Sequence, residues 1–149
     1  MPDADRIVEK YLGGAAAPRR SRGIRDNNPG NIRPGEHFKG EVGEEGGYCI
    51  FDTPENGIRA IAVDLLTKYR RGLTTIRSII AVYAPPSEND TEAYIKAVCA
   101  DTGCLDYAWI HLTEPAVLGS MVGAIIKHEN GSDPYSGEQI AAGVSAALA

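Results

Sequence analysis

Between Val117 and Ile126, apolar side chains recur at steps of three and four residues: Val117, Leu118, Met121, Val122, Ile125 and Ile126. That spacing traces one face of an α-helix, so the stretch predicts a helix turned toward a core. The next place on the same face belongs to Glu129, and Asn130-Gly131 ends the helix just after it. Taking a carboxylate out of water disfavours its charged form, which is the condition a general acid needs. Glu129 is therefore the leading candidate acid, set against the plainer reading of a solvated side chain in a fraying last turn.

Similar periodicity runs through most of the chain. Ile7, Val8, Tyr11 and Leu12 predict a short opening helix, and GGAAAPRRSR after it reads as a loop or flexible arm. A helix introduced by Pro54, Glu55 and Asn56 carries Ile58, Ile61, Ala62, Leu65, Leu66 and Tyr69 on one face and is stopped by Gly72. Thr75 caps the next, with Ile76, Ile79, Ile80 and Tyr83, and Pro85-Pro86 terminates it. Asp90 or Thr91 opens another with Tyr94, Ile95 and Val98 inward, and Ser136 caps a last one over GEQIAAGVSAAL. Only the stretch from Gly23 to about Pro54 has strand character, where HFKGEVG and GGYCIF predict two short strands joined by a turn. The expected fold is α+β, mostly helical around one small β-hairpin. Residues 1–22 form the N-terminal helix and arm, and residues 23–149 form one domain.

A chain of 149 residues with 43% hydrophobic content is long enough for one sizeable core. It has no apolar run of transmembrane length, and no charged leader followed by an apolar stretch opens it, so neither a membrane segment nor a classical signal peptide is expected. Twenty acidic residues outweigh fifteen basic ones, a formal charge of -5 that disfavours a nucleic-acid partner. Arg19, Arg20, Arg22 and Arg25 form a local basic patch, either a solubilising linker or an attraction for an anionic polymer. Cys99 and Cys104 are close enough in sequence to bridge across a turn or to remain buried thiols, while Cys49 stands apart. His37, His111 and His128 form no ligand motif with them, and neither a metal nor any other cofactor is expected.

The most specific local pattern is RGIRDNNPGNIR, Arg22 to Arg33. Asparagines beside a Pro-Gly pair make tight turns and leave amides able to meet a neutral hydroxyl- and acetamido-rich sugar, although a purely structural loop fits equally well. Together with FDTPENGIRAIAVDLLTKY, TTIRSIIAVYAPPSENDTEAYI and AIIKHENG, this pattern resembles the small lysozyme-like proteins of tailed phages and prophages, often described as virion structural proteins or endolysins. The resemblance runs from about Gly23 to Ala147. It implies a lysozyme-like domain acting on peptidoglycan. In the wider superfamily a glutamate ends a helix as E-S-G and precedes an asparagine loop. Here ENG at Glu129 to Gly131 follows NNPGNI, which implies a circular permutation.

The resemblance implies cleavage between N-acetylmuramic acid and N-acetylglucosamine by a lytic transglycosylase or muramidase, with Glu129 as general acid. The transglycosylase route, in which the muramoyl 6-hydroxyl attacks, leads to 1,6-anhydro ends. Glu44 and Glu45, at the glycine-rich turn of the hairpin, are candidates for a second catalytic carboxylate or simply a solvated turn; Glu55, Asp26 and Asp52 are weaker ones. Asn27, Asn28 and Asn31 are the candidate sugar contacts, with Arg25 and Arg33 placed to hold a peptide carboxylate or to pack over the loop. Tyr48 and Tyr135 are candidate groove rings, whereas Tyr83 and Tyr94 fall at core spacing. The expected partners are peptidoglycan glycan strands in the bacterial periplasm or cell wall and a phage particle, with a free enzyme being monomeric. The acidic balance favours the alternative, a non-catalytic virion structural or cell-wall-binding protein.

Overall fold

The structure, a computed structural model, describes residues 20–149, so the helix expected over residues 7–12 and most of the arm lie outside the described residues. A single turn of helix, α1 (Arg22–Arg25), is capped by Ser21, whose hydroxyl accepts from the Ile24 amide at 3.3 Å. Strands β1 (Glu41–Glu45) and β2 (Tyr48–Phe51) follow as an antiparallel pair. Gly46 and Gly47 turn between them with φ of 59° and 84°, the left-handed pair that a two-residue hairpin requires. Glu45 faces Tyr48 and Glu44 faces Cys49, with an irregularity at Val42 between Glu41 and Gly43.

Strand structure starts later than HFKGEVG suggested. His37 and Gly40 take φ of 54° and 87°, and the Phe38 amide donates to the Glu41 side chain at 2.7 Å, so residues 37–40 turn and do not pair.

Five longer helices complete the described residues: α2 (Pro54–Arg70), α3 (Ile76–Tyr83), α4 (Thr91–Thr102), α5 (Pro115–Asn130) and α6 (Gly137–Leu148). Their starts follow local chemistry. The side chains of Thr53, Thr75, Asp90 and Ser136 each accept from an amide three residues on, and Thr75/Ser78 and Ser136/Gln139 form reciprocal capping boxes. Such a cap contributes about 0.5–2 kcal/mol. Helix α5 has no side-chain cap, but Pro115 at its first turn removes one amide that would need a partner. Gly103 and Gly131, both left-handed, end α4 and α5.

Helix α2 is central, packing on α6, α5, α3 and β2. Ile58, Ile61, Leu65 and Leu66 from α2 join Ile79, Ile80, Val98, Leu118, Met121, Val122, Ile125, Ile126 and Val144 in one buried cluster. A smaller cluster of Ile32, Cys49, Phe51 and Ala60 fixes the hairpin to α2. The architecture is thus mostly helical with one two-stranded hairpin, an α+β fold. No described helix is long and apolar enough to cross a membrane.

Candidate functional site

The last turn of α5 carries Glu129 just beyond buried Ile125 and Ile126. The side chain is half-buried and both oxygens are engaged: Tyr94 Oη donates to Oε1 at 3.1 Å and Asn31 Nδ2 donates to Oε2 at 2.9 Å. These partners lie 35 and 98 residues away in sequence. Charge-assisted bonds from two directions hold a carboxylate in one orientation.

Asn31 is presented by a loop that the rest of the RGIRDNNPGNIR stretch secures. Asn28, 1% exposed, donates to the Ile32 and Cys49 carbonyls at 2.9 Å each and accepts from the Ile32 amide at 2.8 Å. Its expected role as a sugar contact is therefore corrected: burial leaves it no surface for a ligand, and it binds the loop to β2. Asn27, in the left-handed region at φ 54°, donates to the Phe51 carbonyl at 3.2 Å and does not line the cleft. Asn130 ties the loop to α5, donating to the Pro29 carbonyl at 2.7 Å while accepting from Ser21 at 2.5 Å. At Gly30 an added Cβ would fall 2.4 Å from Ile61, so only glycine lets the loop lie this close to α2.

Tyr83 and Tyr94 have rings in or against the core, as their spacing indicated, yet their hydroxyls serve the site. Tyr83 Oη donates to the Gly30 carbonyl at 2.6 Å, and its ring meets Tyr94 edge-on with centroids 6.5 Å apart. His128 also lies against the Tyr94 ring, with centroids 3.9 Å apart and planes tilted by 37°. Burial first, then the Glu129 and Asp64 carboxylates, raises the Tyr83 hydroxyl well above its ordinary pKa. Tyr94 is raised by burial, then by Tyr83 and Glu129. Both phenols therefore stay protonated and act as donors.

The result is a polar cleft of about 350 Å³ in which Glu129 is joined by Asn31, Arg33, Tyr48, Asp64, Lys68, Tyr83 and Glu88. Arg33 pairs with Glu88 at 3.3 Å and lies over the Tyr48 ring at 5.0 Å. Asp64 and Lys68 form a largely buried ion pair at 2.6 Å, with side chains 22% and 16% exposed. Sequence reasoning missed Asp64: on α2 it is simply one step off the core face, and nothing local marks the loop that encloses it. Among the described residues no group of three or more His, Cys, Asp or Glu side chains could hold a metal ion. Cys49, Cys99 and Cys104 are free thiols.

No family model matches the chain. Over 131 residues it is 40% identical to Protein P5 of Pseudoalteromonas phage PM2, covering 83% of this chain and 79% of that protein. The chain belongs to the family of Protein P5. In this member of the P5 family the remaining candidates fall outside the Glu129 cleft. Glu44 is exposed on β1, and Glu45 accepts from Arg25 at 2.5 Å. Neither hairpin glutamate lines the cleft, because the hairpin points its turn toward α1 and the Arg22 and Arg25 side chains. Arg25 is occupied there, so it does not reach the cleft either, while Arg22 covers the Tyr48 ring at 3.7 Å. Tyr135 packs against the helical core, where burial, then Asp133 and Glu55, pushes its hydroxyl up to about 12. It sits half-buried in the loop between α5 and α6 and does not line the Glu129 cleft.

Proposed function

We propose that the Glu129 cleft cleaves peptidoglycan glycan strands between N-acetylmuramic acid and N-acetylglucosamine, with Glu129 as the general acid. The observation that carries this reading is the 2.9 Å bond between Asn31 and Glu129, which joins the asparagine loop to the helix-end glutamate despite their reversed order in the chain. This juxtaposition supports a circularly permuted lysozyme-like arrangement, as does the helical fold with its hairpin. A phenol can accept as well as donate, so Tyr94 can hold Glu129 in its protonated form as well as in its charged one. Glu129 then gives its proton to the glycosidic oxygen as the bond to the muramoyl carbon breaks. Asn31 Oδ1 and the accepting lone pairs of the Tyr83 hydroxyl line the cleft with polar groups that suit a neutral sugar, whereas the Tyr48 ring is already covered by Arg22 and Arg33. The site of action is the bacterial cell wall.

A second reading is a non-catalytic virion structural or cell-wall-binding protein. Membership in a phage protein family favours it, as does the absence from the cleft of the hairpin glutamates expected to assist Glu129.

Incubation with purified peptidoglycan and mass analysis of the soluble products separates the two. The catalytic reading expects muropeptides from the native chain and a loss of roughly two to four orders of magnitude in rate for a folded Glu129→Gln variant. Undiminished cleavage by that variant removes Glu129 from the role, and no soluble glycan from the native chain selects the second reading. Anhydro or reducing muramic acid ends report whether a sugar hydroxyl or water completes the reaction.

A further inference from the structure

A second pocket, of about 530 Å³, opens from the Glu129 cleft and shares Asp64 and Lys68 with it. Its lining includes four cations, Lys39, Arg59, Lys68 and Arg71, against two carboxylates, Glu36 and Asp64. Asp64 is already neutralised by Lys68. Lys39, Arg59 and Arg71 have no carboxylate within ion-pair distance among the described residues. This local excess of positive charge stands out in a chain whose formal charge is -5.

The cations are also spaced along a line. Arg59, Val63, Thr67 and Arg71 follow one another at four-residue steps, a single ridge running down α2 to its end. Twelve residues of helix cover about 18 Å. An extended peptide advances roughly 3.3–3.6 Å per residue, so five residues span about the same length. The muramic acid residue of a peptidoglycan strand carries a short peptide of this size with several carboxylates. A strand lying in the Glu129 cleft would lead that peptide into the adjoining pocket.

We propose that the Arg59–Arg71 ridge with Lys39 is a subsite for the carboxylates of the peptidoglycan stem peptide. The proposal rests on peptidoglycan being the ligand of the cleft, and assigns the peptide to α2 in place of Arg25 and Arg33. A guanidinium at each end of the ridge gives planar, bidentate donors for carboxylates. The apolar body of Val63 and the Thr67 methyl between them provide a floor for the peptide chain.

The test is calorimetric titration of the full chain with a free stem tetrapeptide, with the same peptide carrying amidated carboxylates, and with inorganic phosphate. The native chain is expected to bind the free peptide, more weakly as salt rises, and the amidated peptide roughly tenfold less well. An Arg59→Gln/Arg71→Gln double variant should lose roughly tenfold in affinity, and Arg59→Lys/Arg71→Lys should recover only part of it, since an ammonium keeps the charge but not the bidentate fork. Equal binding of free and amidated peptide by the native chain overturns the proposal without reference to any variant. So does phosphate binding with no peptide binding, which would make the ridge a phosphate site. Peptide binding by a chain that cleaves no glycan would retire catalysis and keep the subsite; cleavage by a chain that binds no peptide would do the reverse.

Discussion

Single charges set the behaviour of the region beside the cleft. Asp26 is buried at the end of α1, and burial, followed by the Glu45 carboxylate, pushes it up to about 6. Glu45 is lowered, first by the proton Asp26 offers it and then by Arg25. Asp26 thus keeps its proton in the folded state over a range where the unfolded chain, near 3.8, has lost it. Its contribution to stability is complete below 3.8 and is lost as pH rises to about 6. Asp26→Asn should therefore melt with the native protein near the acid end of that window and above it at neutral pH. Paired thermal melts check this, and a constant difference across the window counts against the assignment. The same scale shows where residue type alone misleads. Asn28 and Asn31 look equivalent in RGIRDNNPGNIR, but one is inside and the other bonds Glu129. Tyr94 obeys core spacing while its hydroxyl meets a carboxylate, because periodicity places a ring and says nothing of what lies at its far end.

Among the elements, α2 has the closest neighbours. A Cβ at Gly57, in its first turn, would fall 1.8 Å from the Asn27 carbonyl oxygen, a backbone atom that cannot move aside cheaply. Gly57→Ala should destabilise the protein by about 3 kcal/mol or more, opposite in sign to the roughly 1 kcal/mol that alanine adds in an unobstructed helix. Gly119, in α5, has open space where its Cβ would be, so Gly119→Ala should follow helix propensity and stabilise slightly. Urea midpoints for the two variants make the comparison, and matching shifts would mean that the loop at Asn27 is not pressed against α2. The five longer helices were legible in advance, down to the caps at Thr75 and Ser136, because a cap is decided within four residues, whereas the single turn of α1 was not. The turn at residues 37–40 was not, since a left-handed histidine has no marker in residue type.

For the molecule as a whole, α6 closes the fold. It lies along α2, buries Val144 and adds Ile140, Ala147 and Leu148 to the helical cluster. Gln139 also reaches Glu55 at the start of α2, at 3.4 Å. Deletion of residues 137–149 uncovers that face of α2 and should leave a chain that retains helical signal, binds a hydrophobic dye and unfolds without a sharp transition. Sharp two-state unfolding of the shortened chain would show that α6 is an accessory. The sequence by itself determined the five longer helices, the presence of one hairpin between Gly23 and Pro54 and the inward face that carries Glu129, because each depends on backbone preferences and side-chain spacing within a few neighbouring residues; the hairpin turn falls at Gly46-Gly47 and leaves Glu44 and Glu45 in β1. Only the tertiary structure decided that Glu129 meets Asn31, that Asp64 and not Glu44 or Glu45 shares its cleft, and that Asn28 is sealed away. Those relations are set by elements as far apart as Ser21 and Asn130, 109 residues along the chain, brought together by burial of a common core that no local pattern describes.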